Sequence, residues 1–349
     1  ARGGDEEIRA AGHYWAARAE MAGGHPDKVQ ARLRAAAHHQ ETFYGLIAAQ
    51  ALGLAAQPIH DFDKLARNWN RLAGLPNVRL ATALAELGET DFADEVLRHQ
   101  ARIGRPEDHD SLAALAARLN LPDTQLYLAH NGPVGAQPSV VARYPMPAWT
   151  PEGGWRVEKE LIYAHALQES RFRVDAVSPA GAYGIMQVLP GTADLIARRR
   201  GQAPVDRSRL LQPATNLEFG QSRLEQVRDY RPSGGLLPKV IAGYNAGPGV
   251  LDDWNATVRD GGDPLLFVES IPYWETRGYV ATVLRNYWMY QRNGGKDSAS
   301  LKAMAQGMWP RFPGLPGAYA VRGDDGDGPV QTAQAGDGRA ASARPSSAN

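Results

Sequence analysis

No stretch of this chain shows convincing strand alternation of apolar and polar residues, whereas apolar side chains recur at helical spacing through much of it. Leu217, Leu224 and Val227 share one face of a helix expected over Asn216 to Tyr230. Similar patterns run from Trp155 to Ser170, Thr192 to Arg200, Leu237 to Asn245 and Thr276 to Tyr290. A sheet is then no more than a small hairpin, and the chain is expected to be all-α. Cysteine is absent from all 349 residues, which excludes disulfides, thiolate catalysis and Cys-type zinc sites. Lys and Arg together equal Asp and Glu at 38, so no broad attraction to nucleic acid or anionic lipid is expected. No apolar run approaches the roughly 18–20 residues of a membrane span, so no integral membrane segment is expected.

Three regions separate by composition. Residues 1 to about 140 are rich in Ala, Leu and Gln, with Gly- and Pro-marked breaks. Within them Ala19-Glu20-Met21-Ala22-Gly23-Gly24-His25-Pro26-Asp27 and Ala85-Glu86-Leu87-Gly88-Glu89-Thr90-Asp91 resemble each other. Each reads as a helix end, a Gly turn and an Asp or Thr able to cap the next helix. Their offset is close to twice the roughly 34-residue period of paired-helix repeats. The region is therefore expected to be a helical-repeat (superhelical) domain, with an irregular Ala-rich bundle as the alternative. Pro133, Pro138, Pro145 and Pro147 mark a linker, and residues 141–321 are expected to form a second helical domain. Residues 322–349 carry almost no apolar bulk and are expected to be a disordered tail. The opening ARGGDEEIRA lacks the apolar core of a signal peptide and is expected to be the interior of a longer or processed chain.

The stretch LQESRFRVDAVSPAGAYGIMQ, Leu167 to Gln187, carries the chemical question. Glu169 ends the run Val157, Leu161, Ala164, Leu167, at the C-terminal end of a helix where the macrodipole disfavours an anion. Desolvation and the dipole both raise the pKa of such a carboxyl, and a carboxylic acid still protonated near neutral pH is what a general acid needs. By itself this context also suits an ordinary solvated Glu. His165 lies one turn earlier, within reach of Glu169, although a histidine there more often packs into the fold. The nine histidines show no metal-ligand spacing, no phosphate loop occurs, and no metal or cofactor is implied.

Other blocks surround Glu169-Ser170: Gly184-Ile185-Met186-Gln187, then Ala242-Gly243-Tyr244-Asn245-Ala246-Gly247, then Ile271-Pro272-Tyr273-Trp274-Glu275-Thr276-Arg277-Gly278-Tyr279-Val280. In this order and spacing they resemble the lysozyme-like domain of the soluble lytic transglycosylases. The N-terminal region resembles the helical linker domain of that family's long, ring-shaped members. Gly243 departs from the pattern, where many members have Ala, and is expected to loosen local packing. The resemblance implies that Glu169 is the catalytic acid/base. It implies that Ser178 and Gln187 line saccharide subsites, that Tyr244 and Asn245 face the acid, and that Met186 lies on the cleft wall. It implies that Glu275 contacts the N-acetyl region of the sugar. A hydrogen bond from Tyr244 is expected to orient Glu169. Sugar rings pack on aromatic faces, and Tyr183 and Tyr273 are expected to contribute to the cleft.

Each residue also has a plain reading. Tyr244 and Asn245 suit a helix stop, Met186 suits a core, Ser178-Pro179 suits a turn, and Glu275 suits an ion pair with Arg277. The resemblance implies cleavage of the MurNAc–GlcNAc β-1,4 bond of peptidoglycan without water, giving 1,6-anhydro-MurNAc products, in cell-wall remodelling or recycling. It further implies a periplasmic location, glycan strands as partner and cell-wall synthases as possible further partners. Two rival readings stand beside it. One is a goose-type or similar muramidase, with Asp175 or Glu275 activating water. The other is a glycan-binding scaffold without turnover.

Overall fold

The computed structural model describes residues 2–54, 64–134, 136 and 139–323, so the expected tail lies outside the described residues from 324 onward. Among the described residues the chain is all-α, with sixteen α-helices and one short two-stranded ribbon. The N-terminal region holds α1 (Arg2–Ala22), α2 (Pro26–Ala37), α3 (Phe43–Ala51), α4 (Lys64–Ala73), α5 (Pro76–Glu86), α6 (Thr90–Ile103), α7 (His109–Arg118) and α8 (Pro122–His130). The C-terminal region holds α9 (Lys159–Glu169), α10 (Pro190–Arg199), α11 (Pro213–Arg228), α12 (Leu237–Ala246), α13 (Val250–Thr257), α14 (Pro264–Ser270), α15 (Trp274–Asn293) and α16 (Ala299–Ala305). Trp309 and Pro310 pair antiparallel with Val321 and Ala320 to make the ribbon.

Proline sets many of the starts. It occupies the first turn of α10, α11 and α14, where its missing N–H has no partner to lose and its fixed φ suits the helix. This is why α10 and α11 begin at Pro190 and Pro213, upstream of the positions that apolar periodicity suggests. The shared segments before α2 and α6 are indeed helix–turn–helix joints. Gly24 (φ 77°) and Gly88 (φ 82°) take left-handed conformations. His25 N–H reaches Glu20 O at 2.8 Å, and Glu89 N–H reaches Leu84 O at 2.9 Å, the wrap-around bonds of a Schellman ending. Asp27 and Thr90 do not cap: the N-cap residues are His25 and Glu89, with no side-chain bond. The joints close through the preceding helix instead.

The region over residues 1 to 140 does not share one core. Leu72, Val78, Leu97, Leu112 and Leu128 from α4 to α8 form one apolar cluster, which reaches Ala142. Helices α1 to α3 belong to the other cluster, together with α9 to α16. Phe43 stacks on Trp288 with ring centroids 5.2 Å apart. Glu7 accepts from Phe43 N–H at 3.1 Å and from Arg285 at 2.8 Å, which ties α1 to both α3 and α15. Composition could not reveal this division, because Ala-rich helices look alike whichever core they join.

Leu217, Leu224 and Val227 are fully buried, as their spacing predicts. The expected looseness at Gly243 is not found. A Cβ there would lie 2.8 Å from Val227 Cγ1 and 3.1 Å from Leu251 Cδ1, so neighbouring side chains already fill the space. The glycine lets α12 approach α11 and α13 closely. Gly243→Ala is expected to destabilise the fold by about 1–3 kcal/mol, read as a lower denaturation midpoint in urea at unchanged m-value.

Candidate active site

Helix α9 is buried along Glu160 to Ala166, so it is the central helix of its domain rather than an amphipathic surface helix. It packs against α11 and α15 and ends at Glu169, whose own carbonyl end of the helix supplies no donors to a carboxylate. The chain then turns on two non-glycine residues in left-handed conformations, Arg171 (φ 56°) and Phe172 (φ 65°). The Ala, Gly and Ser residues of the following loop come later and do not make this turn. What holds the costly backbone is burial of Phe172, 1 % exposed, whose ring meets Tyr163 edge-on at 5.6 Å. Ser170 Oγ then donates to Ile185 O at 2.9 Å and draws the following loop against the helix end.

That loop, from Ala176 to Val188, is clamped by a buried residue that the motifs do not single out. Asn216 of α11 accepts from Met186 N–H at 2.7 Å and donates to Tyr183 O at 2.8 Å and Leu210 O at 2.7 Å. Gly184 (φ 71°) must be glycine here, since a Cβ would lie 2.4 Å from Leu210 O. Gln187, itself at φ 48°, spends its amide N–H groups on Gly184 O at 2.8 Å and Ala176 O at 3.2 Å. Ser178 Oγ accepts from Ala182 N–H at 3.0 Å, the turn role of this residue. Tyr183 pairs through its backbone with Val177 and Val188 and packs its half-buried ring against the core. Met186 is fully buried under Gly220, so its side chain offers no surface to a cleft. Its carbonyl is the functional atom.

Tyr244 on α12 donates to that carbonyl, Met186 O, at 2.8 Å. The expected bond from Tyr244 to Glu169 is therefore replaced by another: Tyr279 on α15 donates to Glu169 Oε1 at 2.6 Å. Tyr244 still lies close, as the Glu169 charge helps to raise its pKa after burial has done so. The Tyr279 hydroxyl also meets His165 Nδ1 at 2.8 Å. Glu169 Oε2 has no hydrogen-bond partner among the described residues and is not one of their fully buried unpaired atoms, so it keeps some contact with solvent. Burial lifts the Glu169 pKa from 4.5 to about 7; the Tyr279 bond opposes this and the Glu275 charge adds to it.

A surface pocket of about 430 Å³ is lined by Asn245, Ala246, Pro272, Tyr273, Trp274, Glu275 and Thr276, and Glu169 is not among its lining residues. Asn245 Oδ1 accepts from Thr276 Oγ1 at 2.7 Å, which joins the end of α12 to the start of α15. Glu275 is exposed in the first turn of α15, where the helix dipole favours a negative charge. No ion pair links it to Arg277, which donates to Ile271 O at 2.9 Å instead. Tyr273 is 52 % exposed and Trp274 83 % exposed at the rim, with Tyr273 edge-on to Trp254. Asp175 lies elsewhere, in a groove of about 740 Å³ that also touches Arg98 and Tyr127 of the N-terminal helices. Asn216, Tyr279 and His165 thus complete what the motif residues begin. Tyr279 stood within a quoted block, whereas Asn216 had no sequence signal beyond being polar on the apolar helix α11.

Residues 149–267 match the family described as Transglycosylase SLT domain. The matched span includes Glu169 and Asn245, while Glu275 and Tyr279 lie beyond it. The soluble lytic murein transglycosylase of Salmonella typhimurium is 36% identical over 164 residues, covering 45% of this chain and 24% of that protein. That of Escherichia coli is 36% identical over 162 residues, again covering 45% of this chain and 24% of the relative. The crystal structure of the 70 kDa soluble lytic transglycosylase of Escherichia coli aligns at a TM-score of 0.68 and 25% identity, over 88% of this chain and 49% of that one. Lytic transglycosylase Slt of Pseudomonas aeruginosa aligns at 0.63 and 26% identity, over 83% and 47%. The chain thus spans about a quarter of the length of these curated relatives.

A carboxyl whose pKa is raised on folding takes up protons between the unfolded and folded values. Stability from Glu169 is therefore undiminished below about pH 4.5 and falls as pH rises towards about 7, by up to about 3 kcal/mol. Glu169→Gln is expected to remove this slope, so that its thermal midpoint exceeds the parent's at about pH 8 and matches it at about pH 4.

Proposed function

We propose that this chain is a peptidoglycan lytic transglycosylase that cleaves the MurNAc–GlcNAc β-1,4 bond without water. The observation that carries the proposal is one protonatable carboxyl, Glu169, held by Tyr279 through Oε1, with Oε2 left without a partner among the described residues. Glu169 gives its proton to the glycosidic oxygen as the C1–O bond breaks, and the 2-acetamido oxygen of the muramic acid attacks C1. The resulting Glu169 carboxylate takes the proton of the C6 hydroxyl, and O6 displaces the acetamido oxygen from C1. A 1,6-anhydro ring closes, and Glu169 is again protonated. A pKa near the operating pH serves both halves of this cycle, since the same group gives and then takes a proton.

In this reading Glu275, Asn245 and Tyr273 hold sugar in their shared pocket, with the negative charge of Glu275 near the N-acetyl region. Tyr244 and Gln187 hold the loop that closes over Glu169, while Ser178, Tyr183 and Met186 shape it from within. Support for a lyase over a hydrolase comes from the placement of the other carboxylates. Asp175 lines a different groove, and Glu275 stands exposed beside the sugar pocket. Peptidoglycan as substrate places the enzyme in the periplasm, with glycan strands as its partner and cell-wall synthases as candidate neighbours. Among the described residues no helix is long and apolar enough to cross a membrane.

Mass spectrometry of muropeptides released from purified peptidoglycan tests the proposal. Products ending in 1,6-anhydro-muramic acid are expected, with turnover lowered at least about 10²–10⁴-fold in Glu169→Gln. Reducing ends heavier by one water would mean a hydrolase, and no products from the parent would leave the binding scaffold. Because Glu169 must be protonated to begin, kcat/KM is expected to fall as pH rises through about 7.

A further inference from the structure

His165 is fully buried, one helical turn before Glu169, and the motif reading gave it no part in the site. Its ring packs against Tyr244 at 4.8 Å and Tyr279 at 5.8 Å between centroids. Its Nδ1 lies 2.8 Å from the Tyr279 hydroxyl, and its Nε2 is buried with no partner among the described residues. A hydroxyl has one proton, and Tyr279 directs that proton to Glu169 Oε1. If Nδ1 were bare, two lone pairs would face each other at 2.8 Å with no proton between them. If the proton sat on Nε2, a buried N–H would also go unpaired, a worse orphan than a bare nitrogen. Both arguments place the imidazole proton on Nδ1. Burial pulls the pKa of His165 down to about 3, so the ring stays neutral at working pH.

We propose that His165 is a positioning residue: its Nδ1–H donates to Tyr279 and so fixes the direction of the hydrogen bond from Tyr279 to Glu169. The relay has one polarity, from His165 to Tyr279 to Glu169 Oε1. The acidic proton of Glu169 is thereby kept off Oε1 and carried on Oε2, the oxygen that no described residue engages. In the reversed polarity Glu169 would donate its proton inward to Tyr279 and present a bare carbonyl oxygen to the glycosidic bond. His165 does not touch substrate; it decides which oxygen of the acid is armed. This inference rests on the proposed acid/base role of Glu169.

The tautomer is read directly from the ¹⁵N spectrum of the full chain, labelled at histidine, with His165→Asn to assign the signal. A protonated Nδ1 and a bare Nε2, unchanged between about pH 5 and 8, are expected. A protonated Nε2 would overturn the proposal, whether or not the protein turns over peptidoglycan. Kinetics give the second arm. His165→Leu fills the space without a donor and is expected to lower kcat about tenfold with KM within about twofold. His165→Asn, whose Nδ2 restores a donor near the position of Nδ1, is expected to recover most of that loss. Equal losses in the two variants would mean that His165 only packs, and unchanged kcat in the leucine variant would mean that the relay is idle. Should the leucine variant fail to fold, the parent spectrum and the asparagine variant still decide. Absence of anhydro products from the parent would count against the proposed activity alone.

Discussion

A carboxyl group is kept out of water at the wrong end of a helix, and much of the C-terminal domain is arranged around that fact. Position and burial both disfavour the carboxylate of Glu169, and the one hydrogen bond offered to it, from Tyr279, only partly offsets them. The result is an acid poised near neutrality. Keeping it so requires α9 to be enclosed by neighbouring helices, since a solvated Glu169 would titrate like any surface glutamate. The buried flanks of α9 and the left-handed turn at Arg171 and Phe172 therefore serve the same end as the tyrosines.

The loop after Glu169 shows how backbone and side chains divide this work. Ser178, Met186 and Gln187 within it mostly satisfy backbone groups of the loop itself or sit in the core. Asn216 holds the loop from the adjacent helix with two bonds, to Met186 N–H and Tyr183 O, and spends a third on Leu210 O. Buried backbone N–H and C=O groups must be paired, and the loop pairs several of its own, Tyr183 with Val188 and Gly184 N–H with Ala176 O. The Asn216 amide takes up Met186 N–H, which the loop leaves over. Tyr244, anchored on Met186 O, then couples the loop to α12, and Thr276 bonded to Asn245 couples α12 to α15.

The N-terminal helices take part in this to an unequal degree. Helices α1 to α3 share the core of the C-terminal domain, with Arg18 paired to Asp263 and the Tyr44 hydroxyl on Glu269. The repeat-like helices α4 to α8 keep a core of their own. The first three helices thus share a core with the domain that carries Glu169, and Arg285 and Trp288 of α15, the helix that also carries Tyr279, meet Glu7 and Phe43.

Local rules in the sequence determined the helical content, the proline starts and the glycine turns at Gly24 and Gly88. Each depends on a few neighbouring residues whose conformational preferences hold wherever they occur. The motif blocks named Glu169, Tyr244 and Tyr279, which the fold brings close together. Tertiary structure alone decided which hydroxyl meets Glu169, since Tyr244 and Tyr279 are equal candidates until α12 and α15 are packed. It decided that Asn216 holds the loop, that Met186 is core, and that Gly243 is a tight contact rather than a loose one. These outcomes turn on ångström-scale distances between residues far apart in the chain, and no local preference encodes a distance.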